Sequence, residues 1–93
     1  MASYTISLTA SGPSPNGQTY NPSDKITWTN NASTSVIAFN PPTCVAGPPL
    51  TLPLIAGAST SAYNVTASPK GSYDYNYTLG PTGDPISGTI DVS

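Results

Sequence analysis

Four aspartates (Asp24, Asp74, Asp84 and Asp91), two lysines (Lys25 and Lys70), one cysteine (Cys44) and six tyrosines supply most of the reactive side chains of this chain, and histidine is absent. General acid–base chemistry needs two titratable groups converging in a cleft with separated pKa values. Asp74 and Asp91 could pair across neighbouring strands, but their polar surroundings read as a solvated face. The four carboxylates are scattered along the chain, whereas calcium asks for clustered oxygens. Serine and threonine nucleophiles need an activating base, and without histidine none is evident. We therefore expect no catalytic residues, no metal site and no cofactor. Cys44 cannot form an internal disulfide, since it has no second cysteine to meet. It reads as a small buried apolar residue, the alternative being an exposed thiol that links two chains. Asn-x-Ser/Thr sequons at Asn31, Asn64 and Asn76 carry little weight in a sequence so rich in Ser and Thr.

Charge narrows the partners further. Only 6% of residues are charged, against about 25% in ordinary globular domains. Two lysines give no basic footprint for nucleic acid, nor a polybasic anchor for a membrane surface. No apolar run is long enough for membrane insertion. The partner expected is an unidentified protein or a second copy of the chain, as a homo-oligomer. The charge-poor, Ser/Thr-rich composition suggests an exported domain, extracellular or periplasmic, whose signal peptide lies outside this sequence.

The elements that position these residues read as strands throughout. Tyr73, Tyr75 and Tyr77 alternate with Ser72, Asp74 and Asn76, and Ile86, Ile90 and Val92 resume the alternation after a reversal at Leu79 to Asp84. Alternation of period two marks strands with one buried face. The same pattern gives strands at Tyr4 to Ala10, Gln18 to Tyr20, Lys25 to Thr29, Ser35 to Asn40 and Thr60 to Ala67. Ile26, Trp28, Tyr63 and Val65 are expected to face inward. In Ser35 to Asn40, Ile37 and Phe39 alternate with Val36 and Ala38, so both faces are apolar and a central strand is expected. Ser11 to Gly17 reads as a loop, and Pro41 to Pro53 as irregular with an extended run through Leu50, Leu52 and Leu54. Helical periodicity is absent. About seven strands separated by turn signals imply one antiparallel β-sandwich domain over residues 1–93. Its expected core includes Trp28, Ile37, Phe39, Tyr73, Tyr75 and Ile90.

Three segments together resemble a known family. Ser23-Asp24-Lys25-Ile26-Thr27-Trp28-Thr29-Asn30-Asn31-Ala32, Gly71-Ser72-Tyr73-Asp74-Tyr75-Asn76-Tyr77 and Ile86-Ser87-Gly88-Thr89-Ile90-Asp91-Val92 occur in the order of the second-strand segment, the strand before the copper loop and the final strand of the cupredoxins, the plastocyanin-like blue-copper proteins. The resemblance implies a Greek-key, cupredoxin-like sandwich. A blue-copper site needs two imidazoles, a thiolate and a weak axial thioether. The resemblance places the first histidine near Ser35, the cysteine on Tyr77, the second histidine near Gly80 and the methionine near Pro85 or Ile86. None of these residues can serve, Met1 is in the leading tail, and Cys44 is in the middle loop.

The expectation is thus a copper-free cupredoxin-like domain acting as a non-catalytic binding or interaction module. The alternative is a self-associating structural subunit of an exported or surface assembly. Tyr77 is expected to plug the vacated end with Pro85, Ile86 and loop residues, Cys44 among them, its hydroxyl reaching the surface.

Overall fold

The computed structural model describes residues 2–80 and 83–93, and among them it is all β. Nine strands form: β1 (Ser3–Thr9), β2 (Gly12–Ser14), β3 (Thr19–Tyr20), β4 (Lys25–Asn30), β5 (Val36–Asn40), β6 (Val45–Ala46), β7 (Tyr63–Val65), β8 (Gly71–Leu79) and β9 (Ile86–Val92). They build a five-stranded sheet in the order β2-β1-β4-β7-β6 and a four-stranded sheet in the order β3-β9-β8-β5.

The architecture departs from an antiparallel sandwich of about seven strands in two ways. First, the Ser11–Gly17 stretch is not only loop. Thr9 Oγ1 donates to the Gly12 carbonyl and accepts from the Ser11 N–H, which folds β2 back onto β1. Pro13 sits in this short edge strand, where a missing ladder donor is tolerated. Second, both sheets are mixed. After β2 the chain crosses to the second sheet and adds β3 alongside β9, parallel to it. It then re-enters the first sheet in the direction of β1, so β1 and β4 pair in parallel from Ser3↔Lys25 to Leu8↔Asn30.

Period-two alternation delivers the core. Ile6 and Leu8, Ile26 and Trp28, Tyr63 and Val65, Tyr75 and Tyr77, and Ile90 and Val92 are all buried. Trp28 of the first sheet meets Phe39 and Tyr75 of the second edge-to-face, at centroid distances of 5.3 and 5.6 Å, and its neighbour Tyr63 at 5.6 Å. Such aromatic pairs contribute about 0.5–1.5 kcal/mol each beyond area burial, so this indole is the principal rivet between the layers. Gly88 of β9 permits the close packing of Tyr75. A Cβ there would lie 2.6 Å from both the Tyr75 ring and Pro13.

β5 is an edge strand, not a central one. A bulge between Val36 and Ala38 sets Val36 opposite Leu79 and Ala38 opposite Thr78. The extra residue, Ile37, reverses the inside–outside parity. Val36 and Phe39 both point inward, and Ile37 is 41% exposed. Tyr73 is likewise only half-buried at the core margin, its hydroxyl donating to the Pro69 carbonyl. Of the tyrosine hairpin's reversal, Gly80 and residues 83 and 84 are described, whereas Pro81 and Thr82 lie outside the described residues, as does Met1.

One buried polar side chain organises the turns. The Asn30 amide donates to the Thr34 and Leu54 carbonyls and accepts from the Ala32 N–H, each at 2.9 Å. Its backbone bonds Ala58 and Gly57. Both amide protons and the amide oxygen are therefore satisfied, as a fully buried group requires.

Candidate interaction surface

The positions that the cupredoxin resemblance singles out lie around one end of the second sheet. The Gly80 N–H donates to the Ser35 carbonyl at 2.9 Å, Leu79 pairs with Val36, and Tyr77 pairs with Phe39 on one side and Ile86 on the other. Gly80 has φ +66°, a turn conformation that glycine takes without strain. The donor set does not fit a blue-copper ion. It comprises a serine hydroxyl, a phenol, a glycine and an apolar side chain, with neither imidazole nor thiolate.

Tyr77 is fully buried. Its hydroxyl does not reach the surface. It crosses to the first sheet and donates to the Thr9 carbonyl at 2.5 Å. Burial raises its phenol above the ordinary range, and the bond to Thr9 offsets part of that rise. Cys44 is not part of this filling. Its carbonyl accepts from the N–H and hydroxyl of Thr66, one residue beyond β7, and β7 pairs with the Lys25 end of β4. Thr9 lies beyond the Asn30 end, about 17 Å away along a six-residue strand. Cys44 is fully buried, and burial pushes its thiol up. Such a thiol is not the exposed group that an interchain disulfide needs.

The carboxylates do not converge. Asp74 accepts from Thr89 Oγ1 at 3.3 Å and Asp91 from Ser72 Oγ at 2.5 Å, each across the β8–β9 ladder. Asp84 is exposed. Asp24 departs from the solvated-face reading, since it is 3% exposed. Its carboxylate accepts the Asn21 N–H at 2.9 Å and the Ala2 N–H at 3.0 Å. The Asn21 bond is the main reason its pKa is lowered. Asp24 is a structural clasp, joining the start of β1 to the turn before β4. Among the described residues no three His, Cys, Asp or Glu side chains gather where they could hold a metal. Of the sequon asparagines, Asn31 and Asn64 are exposed and Asn76 is half-buried.

The surface feature that stands out is a neutral apolar edge. No residue from 26 to 69 is charged. Ile37, Leu52 and Ile55, at 41%, 39% and 61% exposure, are the exposed large hydrophobic residues among those described. Two of them flank a single bridge, and Leu52 lies two residues before it in the chain. Val36 and Leu54 exchange both backbone hydrogen bonds, at 2.8 and 2.9 Å, and both turn their side chains into the core. Their neighbours Ile37 and Ile55 therefore face outward from the same bridge. Asn30 anchors this bridge from beneath, since the Leu54 carbonyl accepts its amide as well as the Val36 N–H. Sequence reading missed the patch because simple alternation buries Ile37. The absence of charge between Lys25 and Lys70 was the signal that could have located it.

A cleft of about 210 Å³ lies beside this edge, between residues 48–51 and 59–61. Leu54 and Tyr63 also line it.

The sequence matches no protein-family model, and no curated protein is significantly similar to it.

Proposed function

We propose that the chain is a non-catalytic interaction module, a cupredoxin-like Greek-key domain without copper, which binds a protein partner through the neutral edge around Ile37, Leu52 and Ile55. The observation that carries this reading is that Ile37 and Ile55 face outward from one bridge at a sheet edge, with the exposed Leu52 two residues before that bridge in the chain, inside a long charge-free run. Contiguous exposed apolar surface marks interaction sites more often than scattered residues do. Lysine, the usual guard of an open edge, is missing from β5. The cupredoxin-like assignment draws support from the clustering of Ser35, Tyr77, Gly80 and Ile86. Tyr77 occupies its position as a closed structural residue, with its hydroxyl already committed to Thr9. Adding copper is therefore expected to give no intense visible absorption band.

Self-association is the second reading, within an exported or surface assembly. A patch without charge is compatible with its own copy, because no like-charge repulsion opposes the contact. Sedimentation equilibrium across a concentration series separates the two. A monomer at every concentration favours a foreign partner. Assemblies that grow with concentration, and that Ile37→Lys with Ile55→Lys dissolves, favour self-association. Assemblies untouched by that double substitution would remove this edge from the self-association reading.

A further inference from the structure

The cleft beside the neutral edge has a built wall on each side. On one side, the Tyr63 hydroxyl donates to the Pro48 carbonyl at 3.0 Å. Gly47 lies so close to the Tyr63 ring that a Cβ would sit 2.7 Å from it. The strap that continues through Pro49, Leu50 and Thr51 thus starts from a fixed point. On the other side, the Thr60 N–H donates to the Trp28 carbonyl at 2.8 Å, and Thr60 Oγ1 accepts the Trp28 N–H at 3.1 Å and donates to the Ser61 carbonyl at 2.9 Å. Ser59 Oγ shares a 2.7 Å bond with Thr29 Oγ1. The second wall is therefore locked to the rivet strand β4, and both walls are placed before any ligand arrives, which lowers the ordering cost of binding.

The lining chemistry selects the ligand class. No charged side chain lines the cleft, so an ionic ligand would lose its hydration shell without meeting a counter-charge. Leu50, Leu54 and Pro49 offer apolar surface. Thr51 and Ser61, both exposed, add hydroxyls next to the Ser59 and Thr60 hydroxyls that hold the wall. A lining that combines apolar and hydroxyl groups matches a molecule with C–H faces and O–H edges. Size sets the limit: about 210 Å³ is below the roughly 300–1,000 Å³ of a drug-sized site, and suits a single ring.

We propose that this cleft binds one neutral sugar ring, with its hydroxyls bonded to Thr51, Ser61 and nearby backbone groups and its C–H face on Leu50 and Pro49. The site does not share residues with the Ile37–Leu52–Ile55 patch, so each can fail alone. A hexose has about a dozen non-hydrogen atoms, and ordinary ligand efficiency puts its dissociation constant at about 1 mM.

The test is an amide chemical-shift titration of the isotope-labelled domain with D-glucose, D-galactose, D-mannose and N-acetylglucosamine, each to about 100-fold above that constant. The result expected is saturable shifts confined to Leu50, Thr51 and Thr60 to Tyr63 with at least one sugar. Ser61→Trp, a change at an exposed position that fills the cleft, should abolish them while leaving the rest of the spectrum in place. D-glucuronate, the charged analogue, should bind at least tenfold more weakly than glucose wherever glucose binds. Absence of saturable cleft shifts with all four sugars overturns the proposal. So does equal binding of glucuronate, or sugar-induced shifts that survive in the Ser61→Trp protein.

Discussion

The Tyr77 hydroxyl donates to the Thr9 carbonyl at 2.5 Å, joining two residues 68 positions apart and one sheet to the other. Its neighbour two residues earlier, Tyr75, is as deeply buried, yet the Tyr75 hydroxyl has no hydrogen-bond partner within the protein. Burial pushes the Tyr75 phenol up to about 12, with the adjacent Trp28 indole offsetting a little of that rise without closing a hydrogen bond of its own.

These two tyrosines should respond oppositely to loss of the hydroxyl. Tyr77→Phe leaves the Thr9 carbonyl without its partner and is expected to cost about 1–3 kcal/mol in urea denaturation. Tyr75→Phe removes a desolvated group that bonds nothing, and its stability should lie within about 0.5 kcal/mol of the parent or above it. Tyr77→Ser also empties a ring-sized space and should cost about 3–5 kcal/mol. Equal losses for the two phenylalanine variants would show that the Thr9 bond contributes nothing.

Asn30 offers a second measurement. Asn30→Ala would unsatisfy the carbonyls of Thr34 and Leu54 and the Ala32 N–H together. Each buried orphan costs about 1–3 kcal/mol, although Leu54 retains its bond from Val36 and part of the loss is recovered. A destabilisation of about 2–4 kcal/mol is expected, with faster amide exchange at Val36 and Leu54. A loss below about 0.5 kcal/mol, the range of ordinary surface changes, would contradict the anchoring role.

The β5 bulge yields a paired test. Phe39→Ala removes a ring packed on Trp28 and Tyr75 and should cost about 3–5 kcal/mol. Ile37→Ala, two residues earlier, removes an exposed side chain and should change stability by less than about 1 kcal/mol. The reverse ranking would place the bulge elsewhere.

Stability should fall at both ends of the pH scale, for different residues. The folded pKa of Asp24 is lowered by the Asn21 and Ala2 N–H groups. Its contribution is present above the ordinary carboxylate pKa and is lost as pH falls through the lowered folded value. Asp24→Asn should flatten that acid limb. The phenols of Tyr20, Tyr63, Tyr75 and Tyr77 are all raised, chiefly by burial. An unfolded chain ionises its tyrosines near pH 10 while Tyr75 resists to about 12, so stability is retained below pH 10 and declines above it. The tyrosinate absorbance of these four buried phenols should rise with unfolding in one cooperative step. Gradual titration of these four ahead of unfolding would show the core to be open.

The sequence made the faces of most strands legible. Ile26 and Trp28, Tyr63 and Val65, and Tyr75 and Tyr77 lie inside as their alternation requires, because an unbroken strand has only two faces. Alternation failed at Ile37, where one inserted residue reverses the parity of what precedes it, and no residue type in Val36–Asn40 announces a bulge. It also could not separate parallel from antiparallel neighbours, since β1 and β4 show the same pattern in either pairing. Asn30 falls just beyond the strand expected at Lys25 to Thr29. Its burial comes from the Leu54 and Gly57–Ala58 segments folding over it, contacts more than twenty residues away that no local window contains. The neutral apolar edge was legible only in part: the missing charge was visible in the chain, and the bridge that turns Ile37 and Ile55 outward was not.

The two parallel ladders have a consequence for how the chain reaches its fold. β3 pairs with β9 across the 72 positions from Thr19 to Asp91, and β1 pairs with β4 across the 22 positions from Ser3 to Lys25, with β2 and β3 in between. Only the β1–β2 turn and the β8–β9 hairpin can zip up from neighbouring residues, and the hairpin, paired from Tyr77↔Ile86 to Gly71↔Val92, is much the longer. Loop closure must therefore precede most of the rewarding contacts, which places folding among the slow, millisecond-to-second domains. During that interval the tyrosine hairpin would stand with its apolar face uncovered, and a chain with so little charge has little electrostatic protection against meeting another copy in the same state.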